Sequence, residues 1–283
     1  METGNTPIIK LSDKLYGKLE AVNPGGSIKD RPVKYILDRM DLEKGDTIIE
    51  ATSGNTGISL AMMCAEQGYK CVIVMPSDMS EERKKMMKFF GAELQEVSEG
   101  NFDEAIEVKE RLADTWGYKE LNQFNNPLNI ECHKETTFKE IVNSYELCEE
   151  EISAFILGTG TGGTLMGLQK GLEELDMDTK VIAVEPLESP VMSGGEKGLH
   201  GIQGIGDGSK FLVELDKVDE VITISTEEAK ERALRLAKEK GLFVGISAGA
   251  NVLASERWIE QNNPDGVVVT ILCDRGERYF SCL

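Results

Sequence analysis

Short β-rich runs alternate with longer helix-period stretches from about residue 45 onward, and this alternation restricts the fold more than any other feature. It predicts an α/β fold of parallel strands joined by crossover helices that pack on both faces of each sheet. Most of the runs are apolar through their centres, as strands buried on both faces are. Strands are predicted at residues 47–50, 70–75, 93–97, 154–157, 180–184, 220–224 and 267–272.

Helices are predicted at residues 57–67, 80–90, 101–115, 128–144, 164–175, 226–240 and 250–261. An apolar periodicity from Val33 to Met40 indicates one more, and the spacing of Ser225 and Glu228 is that of a capping box. In the helix at 80–90 a solvent face is expected opposite an apolar face. The first comprises Arg83, Lys84, Lys85 and Lys88, and the second Met86, Met87, Phe89 and Phe90.

Composition excludes several classes of protein. Fifty acidic against 31 basic residues give a formal charge of −19, which repels nucleic acids and anionic membranes. The sequence has neither an apolar run long enough to span a membrane nor a signal-peptide pattern, so a cytoplasmic location is predicted. Six cysteines without a C-x-x-C pair and two histidines predict neither a disulfide framework nor a metal site.

The stretch Asn23-Pro-Gly-Gly-Ser-Ile-Lys29-Asp-Arg31 places a lysine where a turn becomes a helix. Most lysines are solvated surface charges. A lysine that is held at a structured turn and partly desolvated loses its proton more readily and attacks carbonyl carbons. Lys29 is therefore a candidate nucleophile, with a surface lysine at a helix start as the simpler alternative.

The strand predicted at 47–50 is followed by Ala51-Thr-Ser-Gly-Asn-Thr-Gly57 and then by a helix. Hydroxyl groups, a carboxamide and glycines at a strand-to-helix turn supply converging donors near the positive end of a helix dipole. A small carboxylate fits such a turn. The alternative is an ordinary helix cap at Thr52 or Ser53.

A second strand-to-helix turn, Gly158-Thr-Gly-Thr-Gly-Gly-Thr164, indicates a phosphate site. Its glycines also fit G-x-G-x-x-G, and Glu185 ends the next predicted strand, so a dinucleotide is the main alternative. The position of the turn in mid-chain and its interleaved threonines favour a phosphate monoester. A lysine, a carboxylate site and a monophosphate site together indicate pyridoxal phosphate with an amino-acid substrate.

Seven motifs, in order along nearly the whole chain, resemble those of the cysteine synthases. These are the O-acetylserine sulfhydrylases among the fold-type II (tryptophan-synthase-β-like) pyridoxal-phosphate enzymes. The motifs are Asn23 to Arg31, Glu50 to Gly57, Met75 to Arg83, Gln123 to Pro127, Gly160 to Thr164, Ile202 to Gly206 and Cys273 to Tyr279. The start of the last motif is similar to the B-type enzymes.

The resemblance implies two lobes, each a mostly parallel sheet flanked by helices. Residues 1–24 and 131–283 would form the larger lobe, which binds the cofactor phosphate. Residues 25–130 would form a smaller mobile lobe, which binds the substrate carboxylate.

The resemblance also implies roles for individual residues. Lys29 would be the Schiff-base lysine and the acid and base at Cα, Asn55 would neighbour the phenolic oxygen of the cofactor, and Ser247 or Cys273 would face the pyridine nitrogen. The phosphate loop would comprise Gly160, Thr161, Gly162, Gly163 and Thr164. The substrate would contact Thr52, Ser53, Asn55, Thr56, Gln123 and Gly204.

The activity implied is formation of L-cysteine from O-acetyl-L-serine and sulfide, or from thiosulfate or another thiol. The alternatives within the class are a cysteine-degrading lyase that produces hydrogen sulfide, a lanthionine or cystathionine synthase, and a serine/threonine dehydratase. From other classes, a nicotinamide-dependent oxidoreductase and an inactive binding partner remain. The resemblance further implies a homodimer and a serine acetyltransferase tail as a partner.

Three departures from the family pattern stand out. Phe138 and Lys139 replace a usual Gly-Pro, and Ala248 replaces a frequent serine. Asp207 stands where A-type enzymes usually have alanine. If it faces the cofactor, it is expected to act as a base for water or thiol and favour cysteine breakdown; otherwise it is a solvent-facing turn residue.

Overall fold

The computed structural model describes residues 1–52 and 54–282, which form an α/β fold around two β-sheets. The strands are β1 (Ile8–Ser12), β2 (Leu15–Leu19), β3 (Thr47–Ala51), β4 (Lys70–Pro76), β5 (Glu93–Val97), β6 (Lys119–Glu120), β7 (Ile152–Gly158), β8 (Lys180–Pro186), β9 (Glu220–Ile224) and β10 (Val267–Leu272). Each strand predicted from an apolar run is present.

Helices connect most of the successive parallel strands, whereas residues 187–219, between β8 and β9, form no α-helix. The helices are α1 (Asp30–Leu37), α2 (Asn55–Gln67), α3 (Glu81–Phe89), α4 (Phe102–Trp116), α5 (Pro127–His133), α6 (Lys139–Val142), α7 (Gly163–Leu175), α8 (Thr226–Lys240) and α9 (Ile246–Asn262). Short 3₁₀ turns lie at Glu20–Val22, Tyr145–Leu147, Leu215–Lys217 and Gly276–Tyr279. The predicted capping box starts α8, where Ser225 accepts a hydrogen bond from the backbone of Glu228 and its own backbone donates one to the Glu228 side chain.

The larger sheet has six strands in the order β1-β2-β10-β7-β8-β9, and the smaller has four in the order β5-β4-β3-β6. Every pairing is parallel except that of β1 with β2. Separate apolar clusters fill the two faces of each sheet. Within the described residues no helix is both long and apolar enough to cross a membrane.

Three features differ from the sequence-based expectations. The first is a set of strands that were not predicted, namely the hairpin of β1 and β2, which extends the larger sheet on one side, and the two-residue β6 of the smaller sheet. The second is the helix predicted at 128–144, which is interrupted by a π-helical turn at Lys134–Phe138. This segment lies so close to α7 that a methyl group at Gly167 would come within 2.5 Å of the Cβ of His133.

The third difference is on α3, where the expected solvent face was wrong for two residues. Arg83 and Lys84 are buried, whereas Phe89, assigned to the apolar face, is 88% exposed. The ammonium group of Lys84 donates to the carbonyl of Ser77 and pairs with Glu96 at 2.8 Å. A buried cation is tolerated because it has these partners.

Candidate active site

Residues that follow the carboxyl ends of β3, β6, β7 and β10 line one cleft of about 830 Å³, part of it open to solvent. This is where ligands bind in α/β folds. The residues selected from the sequence that line the cleft are Lys29, Thr52, Asn55, Thr56, Gln123, Gly160, Thr161, Gly162, Thr164, Gly204, Asp207, Ser247 and Cys273. Gly163 is not a lining residue but begins α7, and Ser53 lies outside the described residues.

Lys29 directly precedes α1, as the sequence predicts. Its backbone is held against the end of β10, because the amide of Ile28 donates to the carbonyl of Cys273 at 2.9 Å. Burial lowers the pKa of Lys29 below its ordinary value of 10.5, and the neighbouring Cys273 and Asp207 act in the opposite direction. A lysine with a lowered pKa is more often an unprotonated amine and thus a better nucleophile and base.

The turn after β3 and the turn after β6 meet at one side of the cleft. The hydroxyl of Thr56, in the first turn of α2, donates to Oε1 of Gln123 at 2.7 Å. Both side chains are buried, with exposures of 3% and 5%. Two segments distant in sequence therefore present hydroxyl and carboxamide groups to a common space, which suits a carboxylate.

Asn55 is the first residue of α2, and its carboxamide is fixed from both ends. Its Nδ2 donates to Oδ2 of Asp274 at 2.6 Å, and its Oδ1 accepts from Nη1 of Arg278 at 2.7 Å. This leaves the second hydrogen of the amide group for another acceptor. Asp274 and Arg278 were not selected as site residues, although both belong to the last motif of the resemblance.

The glycine-rich loop before α7 presents its backbone to the cleft. Gly162 has a φ of +86°, which favours glycine, and a side chain at Gly160 would lie 2.6 Å from the carbonyl oxygen of Gly204. The hydroxyl of Thr161 accepts from Nδ2 of Asn129 at 3.0 Å. The loop thus combines close backbone approach, hydroxyl groups and a helix N-terminus, the elements of a phosphate site.

His133, one of the two histidines, lies behind this loop. Its Nε2 lies 3.3 Å from the hydroxyl of Thr164, and its Nδ1 lies 2.8 Å from that of Thr137. Burial lowers the pKa of His133 well below 6.5, so the ring is neutral near pH 7. No motif signalled this contact, which depends on the π-helical turn.

Two neutral side chains line the cleft beside Lys29. Ser247 lies near the start of α9, and Cys273 follows β10. Burial raises the pKa of Cys273 to about 12, so it is a thiol at physiological pH. Neither group can act as an anion toward a pyridine nitrogen.

Asp207 lines the cleft together with Lys29 and is half-buried. A side chain at Gly160 would lie 3.5 Å from Oδ2 of Asp207, so this carboxylate lies next to the glycine-rich loop. Burial raises the pKa of Asp207, while the charges of Lys29 and His200 oppose the shift. A carboxylate of raised pKa is a better proton acceptor than an ordinary one.

Arg83 also lines the cleft and was missed by the sequence analysis. It is 1% exposed, and its guanidinium donates to Oε1 of Gln203 and, at 3.0 Å, to the hydroxyl of Tyr279. It therefore joins α3 to two segments beyond residue 200. The signal that would have found it is its place in the motif from Met75 to Arg83.

The environment of Glu185 argues against a dinucleotide-binding site. Glu185 is 2% exposed, and its carboxylate accepts hydrogen bonds from the backbone of Met192 at 2.8 Å and of Ser193 at 2.9 Å. These bonds fasten the loop after β8. A ribose-binding carboxylate would instead have to face a ligand.

The residues of the cleft carry the chemical groups that would bind pyridoxal phosphate. The loop at the start of α7 supplies donors for a phosphate, and Lys29 supplies an amine. The absence of a carboxylate at Ser247 and Cys273 suits a pyridine nitrogen that is not held protonated.

Comparison with known proteins agrees with this geometry. The chain is 43% identical over 293 residues to cysteine synthase B of Campylobacter jejuni, covering 98% of this chain and 95% of the relative. It is 41% identical over 297 residues to a cysteine synthase of Staphylococcus aureus, covering 98% and 93%. A hydrogen sulfide-producing enzyme from Fusobacterium nucleatum superposes with a TM-score of 0.93 at 39% identity, covering 99% of this chain and 88% of that one. The family model "Pyridoxal-phosphate dependent enzyme" matches residues 1–274, and the chain belongs to this family.

Proposed function

We propose that this protein is a cysteine synthase that makes L-cysteine from O-acetyl-L-serine and sulfide. One observation carries the proposal: Lys29, the glycine-rich loop before α7 and the Thr56–Gln123 pair all face the same cleft. Together they provide an amine, a phosphate site and a carboxylate site around a space for one amino-acid substrate. Cysteine synthases of 41% and 43% identity over almost the whole chain support the same activity.

Each part of the cleft then has a task. Bound pyridoxal phosphate supplies the electron withdrawal that acidifies the Cα–H bond of the substrate. Lys29 would hold the cofactor through its amine and would also take the Cα proton, for which its lowered pKa suits it. Thr52, Thr56 and Gln123 orient the substrate carboxylate. Acetate leaves from Cβ, hydrosulfide adds there in its place, and Lys29 returns the proton to Cα.

We assign residues 1–24 and 131–283 to the larger lobe and residues 25–130 to a smaller mobile lobe. The sheets support this division, since β3 to β6 lie within the smaller range and the other strands lie outside it. Closure of the smaller lobe over the substrate carboxylate would exclude water from the cleft.

The experiment that tests the proposal is a visible absorption spectrum of the purified holoenzyme before and after addition of O-acetyl-L-serine, followed by sulfide. We expect a cofactor band that shifts with the first reagent and returns with the second. Lys29→Ala should lack the reversible cycle, whereas Lys85→Ala, at an exposed lysine of α3, should retain it. A holoenzyme whose band ignores O-acetyl-L-serine would refute the synthase assignment.

Asp207 favours a second candidate function, the release of sulfide from L-cysteine. In that reaction water replaces the thiol at Cβ, which gives L-serine and sulfide, and Asp207 takes the proton of the attacking water. Its place in the cleft and its raised pKa support this role. The hydrogen sulfide-producing enzyme of Fusobacterium nucleatum is similar over 99% of this chain.

Asp207→Asn separates the two activities. If Asp207 activates water, the variant should lose most of its cysteine-dependent sulfide release and keep its O-acetyl-L-serine-dependent cysteine formation. Asp13→Asn, at a fully exposed side chain, is the matched control. Unchanged sulfide release in Asp207→Asn would remove the second function.

We also infer a homodimer and recognition of a serine acetyltransferase tail, both on the basis of the cysteine synthase likeness. The carboxylate side of the cleft suits the terminal carboxylate of such a peptide. Sedimentation analysis tests the dimer. Competition between a serine acetyltransferase C-terminal peptide and O-acetyl-L-serine tests the second inference, and simultaneous binding of both would contradict it.

A further inference from the structure

Glu50 is a buried carboxylate that the proposed reaction does not use. It is the penultimate residue of β3 and is 1% exposed. Its Oε1 accepts a hydrogen bond from the backbone amide of Ala51 at 2.8 Å, and its Oε2 accepts one from the backbone amide of Gln123 at 3.0 Å. Both oxygens are therefore committed to the backbone rather than to a ligand.

The two amides that Glu50 holds belong to the two segments on the carboxylate side of the cleft. Ala51 leads into the turn that carries Thr52 and Thr56. Gln123 follows Asn122, whose φ of +57° is in the left-handed region that side chains rarely adopt. Asparagine adopts this conformation more readily than most residues, and the bond from Gln123 to Glu50 helps to fix the turn.

The charged groups that face Glu50 come from two elements. Lys109 of α4 pairs with Glu120 of β6 at 2.5 Å, while the parallel partner of Glu50 on β4 is the apolar Ile73. Burial raises the pKa of Glu50 to about 7, against the opposing effects of the Gln123 amide and the Lys109 charge. Both protonation states are therefore populated near neutral pH.

We propose that Glu50 is a positioning residue for the substrate carboxylate. Its ionised form holds both carboxylate-binding segments in register, and its protonation releases one of them. The proton occupies one oxygen, which becomes a hydroxyl donor and a much weaker acceptor for its backbone amide. The inference rests on the proposed function, because it requires that these segments bind an amino-acid carboxylate.

The test is a titration of the holoenzyme with L-serine, followed through the cofactor absorbance, in wild type, Glu50→Gln and Glu50→Asp. A glutamine offers one acceptor in place of two, and the shorter aspartate cannot span both amides. We expect the dissociation constant to rise by about tenfold in either variant, as for one lost buried hydrogen bond. Glu93→Gln, at an exposed position of β5, should bind as wild type.

The pH dependence separates positioning from a general loss of structure. In wild type the dissociation constant should increase as the pH falls through about 7, and in Glu50→Gln this step should be absent. Equal dissociation constants in wild type and both variants, or the same pH step in Glu50→Gln, would overturn the inference alone. A wild-type holoenzyme whose spectrum responds to neither L-serine nor O-acetyl-L-serine would refute the proposed function and this inference with it.

Discussion

Replacement of Arg31 tests how strongly the segment around Lys29 depends on one buried guanidinium. Nε and Nη2 of Arg31 donate to the two oxygens of Glu20, each at 2.7 Å. Nη1 and Nη2 donate to the two oxygens of Glu140, each at 2.6 Å. The side chains of Arg31 and Glu20 are 1% and 0% exposed, so water cannot replace these bonds.

The expected magnitude follows from this geometry. Arg31→Met leaves the buried Glu20 carboxylate without its cation, and loss of one partner of a buried ion pair costs about 3–5 kcal/mol of the free energy of unfolding. Arg31→Lys retains the charge but cannot form either forked contact, so we expect a loss of about 2 kcal/mol. Arg39→Met removes an exposed arginine just after α1 and should cost less than about 1 kcal/mol.

The assay is urea denaturation of the three variants and wild type with saturating cofactor. If Arg31→Met lowers the free energy of unfolding as little as Arg39→Met does, the reasoning is refuted, because the buried Glu20 carboxylate would then not need a cation beside it. A double-mutant cycle of Arg31→Met with Glu140→Gln then measures the coupling between the two groups.

The same cluster predicts a dependence on pH. Burial tends to raise the pKa of Glu140, but its hydrogen bonds and charge interaction with Arg31 outweigh this effect and lower the pKa from 4.5 to about 2. A carboxylate with a lowered pKa contributes stability above its ordinary pKa and loses it as the pH falls. Wild type should therefore lose stability between about pH 4.5 and about pH 2, and Arg31→Met should lose less over this range.

Three further predictions concern single contacts. Gly163→Ala places a methyl group against the carboxamide of Asn129. We therefore expect the dissociation constant of the cofactor, measured by absorbance titration of the apoenzyme, to rise about tenfold. An unchanged dissociation constant would contradict the close packing of Gly163 on Asn129. Arg278→Met removes the donor to Oδ1 of Asn55, and we expect a shifted absorption maximum of the bound cofactor; an identical spectrum would argue against the role of Arg278. Ser225→Ala removes the cap of α8 and should cost about 1 kcal/mol in urea denaturation, whereas a change close to zero would show that the cap is dispensable.

The sequence predicted the strands of the fold well because continuous apolar runs are local signals of buried parallel strands. The β1–β2 hairpin has no such run, since β1 includes Lys10 and Ser12 and lies at the edge of the sheet, and β2 is interrupted by Gly17 and the buried Lys18. The interruption of the helix at 128–144 could not be predicted from the sequence either, because the close approach of this segment to Gly167 is a tertiary contact.

The site shows the same division between local and distant causes. Turn residues such as Thr56 and Gly160 were predicted because glycines and hydroxyls at a strand-to-helix junction have a chemical meaning of their own. The burial of Arg83 was predicted wrongly, because it depends on Gln203 and Tyr279, which lie far away in sequence. Helical periodicity assigns a face to a residue but does not identify its distant partners.

The pairing of β2 with β10 has a consequence for how the protein folds. This pair joins the second strand of the chain to its last one, so the larger sheet is incomplete until residue 272 has been synthesised. The strands of the smaller sheet all lie between residues 47 and 120 and can associate much earlier. Contacts between distant segments form slowly, since a long loop must close first. The segment before Lys29 pairs with Cys273 through its backbone, so we expect the cleft to close late in folding.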